Sequence, residues 1–392
     1  MSDARAALPP LDEVLAVMRV VAIPTSTRFR GISVREAAIF DAPLGASEFS
    51  PFLEYGDAES AAWLAAALDF GWCEQPVTLR DRVEVNATVP AVAADRVPEI
   101  LARFPGCRTA KVKVAERGQT LADDVARVRA VREAMGPDAL VRVDANAGWG
   151  VEEAVAALRA LAEFDLDYAE QPCVGVDELA EVRRRLGAAS AGSSPLRGND
   201  PATFGLEVRT SPLVRIAADE SVRKAADPLA VARAGAADLL IVKAQPLGGI
   251  RRTLSIVAEA GLPVVVSSAL DTSVGIAMGL HLAAALPLAA SEGEHGSQPG
   301  SQRRPPGEPG SAPPSVTAPG AVLAGACGLG TAALLEGDVT VDPLLPNGGE
   351  IEVRRPPLDP AQLTRFAAPA ERAQWWRERV TRCHALLSAS AQ

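Results

Sequence analysis

Thr109-Ala110-Lys111-Val112-Lys113-Val114 is the stretch on which the reading of this chain turns. It is a short run of β-formers in which Lys111 and Lys113, two residues apart, point to the same face. Short apolar strands of this kind, with polar residues at their ends, recur at 83–91, 109–114, 140–146, 167–172, 215–221, 239–245, 263–269 and 326–331. Helix signals lie between them. Thr120 and Asp123 form a capping-box start, Val125, Val128 and Val131 form an apolar stripe, and Gly136-Pro137 ends the helix. Ala154, Val155, Leu158 and Leu161 repeat the pattern. Eight strands alternating with helices predict an α/β fold, a (β/α)8-type barrel.

Spacing tests that expectation. The polar strand-end residues Asn86, Lys113, Asp144, Glu170, Asp219, Lys243, Ser267 and Gly328 are separated by 27, 31, 26, 49, 24, 24 and 61 residues. A barrel of roughly 250 residues in eight units needs about 31 per unit. The two long gaps coincide with Gly-, Ser- and Pro-rich stretches near 188–212 and 290–320, which are read as disordered insertions.

Ahead of the barrel, residues 14–23 and 32–40 read as antiparallel strands around a loop at 24–31, and a helix opens at Asp57 with the aspartate as its cap. The expected organisation is a capping α+β domain at 1–82, the barrel at 83–334, and a C-terminal segment at 335–392 packing through Trp375-Trp376 on the capping domain.

Composition narrows the function. A net charge of −10 gives no reason to expect nucleic acid, and no apolar run is long enough for a membrane span. The start of the chain lacks a signal-peptide pattern, so the expectation is a cytoplasmic enzyme with no obligate protein partner. Five scattered cysteines without a Cys-x-x-Cys motif read as reduced thiols, and the presence of only three histidines argues against histidine-based catalysis. Gly328-Leu-Gly-Thr-Ala-Ala333 matches a dinucleotide fingerprint, but no βαβ unit follows it.

Only four of the 39 basic residues are lysines: Lys111, Lys113, Lys224 and Lys243. Arginine stays protonated, whereas a lysine crowded or desolvated can give up its proton, so the lysines are candidates for proton transfer. Lys224 reads as a surface residue. In a barrel, strand-end residues meet at one mouth, which brings together Asp144, Glu170 and Asp219 from three consecutive strands. Three converging carboxylates without His or Cys suit a hard cation such as Mg2+; the alternative is that each is a helix cap or a surface charge. Lys113 and Lys243 flank this trio by one strand on either side, and Lys111 beside Lys113 would lower its pKa.

In order along the chain, Lys-x-Lys, Asp-x-Asn, Glu-Gln-Pro, Asp-Glu-Ser and a lysine on the sixth strand resemble the enolase superfamily, and within it the muconate-lactonizing subgroup. Glu48-Phe-Ser-Pro-Phe52, Ser-Ser-Ala269 and Ala-Cys-Gly-Leu-Gly-Thr331 are similar to the members that dehydrate 2-succinyl-6-hydroxy-2,4-cyclohexadiene-1-carboxylate in menaquinone synthesis. The resemblance implies an enolase-like (β/α)7β barrel and Mg2+, with Mn2+ as a substitute, on Asp144, Glu170 and Asp219. It also implies Lys113 as the base, Lys243 as the opposing cation and a small carboxylate substrate. Asn146 and Glu220 would support the site; Ser267, Ser268, Gly330 and Thr331 would read the substrate tail; and Arg28 would help to close the mouth. N-acylamino acid racemases and muconate-type cycloisomerases share the motif and stay open as alternatives. A non-catalytic barrel binding an anionic metabolite is a further alternative.

Overall fold

The computed structural model describes residues 8–29, 31–190, 213–223, 227–289 and 322–390. The insertions read at 188–212 and 290–320 therefore lie almost wholly outside the described residues, as does Lys224.

The capping sheet is antiparallel, in the order β1 (Met18–Phe29), β2 (Ile32–Phe40), β3 (Ser47–Phe49). Two expectations change here. The first residues of the strand read at 14–23 belong to a helix, Leu11–Ala16. Leu11, Val14, Leu15 and Met18 have helical spacing and turn together into one apolar cluster, which outweighs the β-branched local composition. Residues 24–29 of the loop expected at 24–31 are instead the end of β1, whose pairing with β2 slips between Pro24 and Phe29. The helix Asp57–Trp72 is capped by Gly56 with no side-chain cap; Asp57 is its first residue and pairs with Arg382. On this module packs the helix Ala370–Ser390, with Trp376 buried edge-on against Phe49 at 5.7 Å. Arg379 of the same helix donates to the carbonyls of Phe52 and Tyr55.

The barrel strands are β5 (Ala87–Val89), β6 (Thr109–Lys113), β7 (Leu140–Asp144), β8 (Leu166–Glu170), β9 (Arg215–Ala218), β10 (Leu239–Val242) and β11 (Val264–Val266). They pair in that order, all parallel. β4 (Arg82–Glu84) leaves this sheet and pairs antiparallel with β12 (Glu350–Glu352).

The eighth strand expected at 326–331 is reduced to single bridges, Val85 to Cys327 and Ser267 to Gly328, and it turns into a 3-10 helix at Thr331–Leu334. The ring still closes. Cys327 N–H reaches the Glu84 carbonyl at 2.8 Å on one side and Gly328 N–H reaches the Val266 carbonyl at 2.8 Å on the other. Gly325, Gly328 and Gly330 deprive the segment of side chains that would hold a longer ladder, and a Cβ on Gly328 would stand 2.5 Å from the Ser267 hydroxyl.

Side-chain alternation sorts the strands into two faces. Val112, Val143, Ala169, Ala218, Val242 and Val266 point outward into the large core shared with the helices. The other parity points into the barrel, where Tyr168, Ala217, Leu239, Ile241 and Val265 fill the interior. Arg142 lies among them, paired with Asp167 at 2.8 Å and stacked on Tyr168 at 4.7 Å. One residue pair further along each strand, the inward parity delivers Lys113, Asp144, Glu170, Asp219 and Lys243.

Candidate active site

Register does the first part of the assembly. Lys113 is level with Asp144, and Asp144 with Glu170, so three charged residues stand side by side at the ends of adjoining strands. Asp219 follows β9 immediately and Lys243 follows β10; all of them except Lys113 are buried.

Each carboxylate is met by a lysine. Lys113 bonds Asp144 at 2.5 Å, Lys111 bonds Glu170 at 2.8 Å and reaches Asp144 at 3.3 Å, and Lys243 bonds Asp219. Arg223 takes the other oxygen of Asp219 at 2.9 Å. Among the described residues no three His, Cys, Asp or Glu side chains stand grouped around one metal-sized point, because the amines intervene. One buried oxygen, Oε1 of Glu170, has no hydrogen-bond partner. An orphaned carboxylate oxygen in an all-oxygen donor set fits a hard divalent cation, since a buried acceptor left unpaired is destabilising.

The charges tune one another. Burial pushes Glu170 up to about 7, with Asp144 adding to it against the pull of Lys111. Burial works in the same direction on Asp144 and Asp219, yet Lys113 and Lys111 hold the first below the usual carboxylate range, and Arg223 and Lys243 do so for the second. Lys243 lies below the ordinary lysine value, by burial first and with Arg223 adding to it, although Asp219 opposes. Burial would lower the Lys111 ammonium, but Glu170 and Asp144 raise it above the ordinary lysine value, so it is a cation bonded to carboxylates.

Around this group, Asn146 accepts from Lys113 at 2.7 Å and donates to Glu220 at 3.4 Å, and its backbone N–H caps Asp144. Asn146 holds φ 46°, a left-handed geometry that asparagine tolerates better than most residues. Ser267, Ser268 and Thr331 line the same pocket as the lysines, with the Ser268 and Thr331 hydroxyls 2.7 Å apart.

Two expected residues stand elsewhere. Arg28 is turned to solvent and bonds the Gly31 carbonyl, while Gly330 packs against Phe104 and Pro346 outside the pocket. In Arg28's place the buried Phe29 covers the mouth, its ring centroid 5.5 Å from the Lys113 ammonium. Thr88 and Ala269 also line the pocket. Each of the three is a sequence neighbour of a residue read as part of the site. Phe29 is the aromatic beside Arg28, Thr88 shares the strand parity of Asn86, and Ala269 follows the serine pair.

The N-terminal part of the chain, residues 20–71, matches an enolase N-terminal domain-like model, and residues 93–193 and 195–332 match an enolase C-terminal domain-like model. A relative from Mycolicibacterium smegmatis named o-succinylbenzoate synthase is 48% identical over 97% of this chain and 99% of its own length. A Mycobacterium tuberculosis relative of the same name is 49% identical, covering 98% of each chain. The chain belongs to the o-succinylbenzoate synthase family of the enolase superfamily. Solved structures agree on the fold. Muconate lactonizing enzyme from Pseudomonas fluorescens superposes with a TM-score of 0.62 at 18% identity, covering 90% of this chain and 98% of that one. L-Ala-D/L-Glu epimerase from Bacillus subtilis gives 0.61 at 20% identity over 87% and 96%. The enolase-like barrel with its N-terminal capping domain is thereby established, the eighth strand position being filled by bridges alone.

Proposed function

We propose that this enzyme dehydrates 2-succinyl-6-hydroxy-2,4-cyclohexadiene-1-carboxylate to 2-succinylbenzoate in menaquinone synthesis. The observation that carries the reading is the placement of Lys113 and Lys243 in one pocket with Asp144 and Asp219, Glu170 standing level with Asp144 behind them, in a chain nearly half identical to named o-succinylbenzoate synthases.

The family works with a divalent cation; here we propose Mg2+, with Mn2+ as a substitute, held by Asp144, Glu170 and Asp219. When bound it would supply positive charge to the substrate carboxylate and to the negative charge that develops there. Lys113 removes the α-proton, and the C–H electron pair moves into the ring as the C–OH bond breaks. The same lysine returns its proton to the departing hydroxyl, which leaves as water, and the ring becomes aromatic. Lys243, on the opposite side and bonded to Asp219, remains a cation facing the developing charge. Lys111 neutralises Glu170 and Asp144, Asn146 aims the Lys113 amine, and Glu220 holds Asn146 and Arg223. Ser267, Ser268 and Thr331 face the succinyl side, and Phe29 keeps water from the base.

Racemisation of N-succinylamino acids is the second reading, favoured by the presence of both Lys113 and Lys243 in one pocket. It requires Lys243 to exchange a proton with carbon, whereas dehydration requires only its charge. In deuterated water the dehydratase reading expects fast aromatisation of the cyclohexadiene acid and little deuterium in the α-position of an N-succinylamino acid. Fast exchange with negligible aromatisation would replace it by the racemase.

A further inference from the structure

We propose that Arg35, on the capping sheet, is a positioning residue for the substrate wall of the barrel, acting through the Leu270 carbonyl; this rests on the dehydratase reading above. The starting observation is backbone strain. Leu270 is fully buried with φ 63°, a left-handed conformation that a leucine adopts only where its surroundings enforce it. It follows Ser267, Ser268 and Ala269, all of which line the pocket.

The capping domain does the enforcing. Arg35 is 3% exposed and its Nε donates to the Leu270 carbonyl at 3.0 Å. The same guanidinium is fixed from behind. It donates to the Ser50 hydroxyl at 2.9 Å, bonds the Ser50 carbonyl, and stacks on Phe52 at 4.6 Å. Beyond the turn, Glu48 accepts from the backbone N–H groups of Thr272 and Gly275, each at 3.1 Å, and from the Ser50 hydroxyl at 2.6 Å. That approach needs glycine at 275, because a Cβ there would come within 2.9 Å of the Glu48 carboxyl carbon. The turn at 269–272 is thus gripped on both sides by residues 35 and 48–50 of another domain.

What the turn aims is the pocket wall. The Ser268 hydroxyl donates to the Gly328 carbonyl at 2.7 Å and so accepts from the Thr331 hydroxyl at 2.7 Å. If Leu270 relaxed to an ordinary φ, the preceding peptide would rotate and carry Ser268 and Ala269 out of that register. The lysines and carboxylates stand on other strands and would be left in place. Arg35 therefore acts on substrate binding and not on the proton transfer.

Arg35→Lys keeps the charge beside Asp271 and removes the Nε donor to Leu270. We expect KM for the cyclohexadiene acid, and the calorimetric Kd of the product 2-succinylbenzoate, to rise about tenfold, while kcat changes less than about threefold. Mn2+ affinity should be unchanged. An unaltered KM and product Kd with a lowered melting temperature would overturn the proposal and leave Arg35 a stabilising residue only. Lost Mn2+ affinity would overturn it equally, by placing the effect at the carboxylates. Should Arg35→Lys fail to fold, Arg35→Gln, whose shorter side chain also lacks the guanidinium Nε donor to the Leu270 carbonyl, should give the same split between KM and kcat, and an unchanged KM there would overturn the proposal. Wild-type protein that neither binds the product nor turns over the substrate would sink the dehydratase reading itself, a result separable from any behaviour of the variants.

Discussion

Two of the buried charge clusters among the described residues are completed in different ways. At the junction of capping sheet and barrel, Glu48 receives Ser50 on one oxygen and the Thr272 hydroxyl with two backbone N–H groups on the other. At the barrel mouth, Glu170 has one oxygen on Lys111 and the other on nothing. The junction donors are neutral, two backbone N–H groups and two short hydroxyls, and together they reach both oxygens of the carboxylate. The mouth donors are amines on flexible stems, and their carboxylates remain able to exchange partners. Buried charge alone does not mark a functional site; the mobility and number of its partners do.

The largest effect expected from that contrast is at Lys113. Lys113→Arg keeps the charge and loses the titrating amine, so turnover should fall by about 10²–10⁴-fold with the melting temperature within a few degrees of wild type. A variant that retains most of its rate would remove Lys113 from the proposed chemistry. Next come the carboxylates of the mouth. Asp144→Asn, Glu170→Gln or Asp219→Asn should each weaken Mn2+ binding in a calorimetric titration, and stability should fall little where a lysine partner is retained by another carboxylate.

The junction should behave in the opposite sense. Glu48→Ala leaves the first turn of the helix Ser273–Ala285 without its carboxylate acceptor. It should cost about 2–4 kcal/mol in denaturant unfolding. A loss below about 0.5 kcal/mol would mean that the junction is not held as described.

The smallest expected effect is a slope with pH. Burial and then Asp271 push Glu48 up to about 7, and burial and then Asp144 push Glu170 to about 7. Folded carboxyls with raised pKa keep their protons when unfolded ones have lost them. Their contribution to stability is complete below about 4.5 and is lost as pH rises through about 7. Glu48→Gln should remove part of that fall. Saturating divalent cation should remove the part due to Glu170 and leave the part due to Glu48. An identical slope in all three cases would contradict the distinction between the clusters.

The barrel was legible because alternation is a strong signal. Lys111 with Lys113, Asp144, Glu170 and Lys243 all fall on the inward parity of strands whose other parity is apolar, and chain order then places them together. The capping domain was less legible at its start, where Leu11, Val14, Leu15 and Met18 follow helical spacing inside a β-branched stretch. The eighth strand was overread because glycine-rich Ala326-Cys-Gly-Leu-Gly330 closes the ring by bridges alone. Within the site, Phe29 was hidden because only the three-dimensional path of β1 decides whether it or Arg28 turns inward. Sequence shows Lys111 and Lys113 as two neighbouring cations, and only the sheet register shows that Lys111 meets Glu170 at 2.8 Å and Asp144 at 3.3 Å.

The most direct measurement is the ultraviolet absorbance of wild-type protein mixed with 2-succinyl-6-hydroxy-2,4-cyclohexadiene-1-carboxylate, with Mg2+ and with excess chelator. The account predicts rapid conversion to the aromatic product with Mg2+ and none above background with chelator. Conversion that persists undiminished in chelator would contradict the assignment of Asp144, Glu170 and Asp219, and absence of conversion in both would contradict the proposed function.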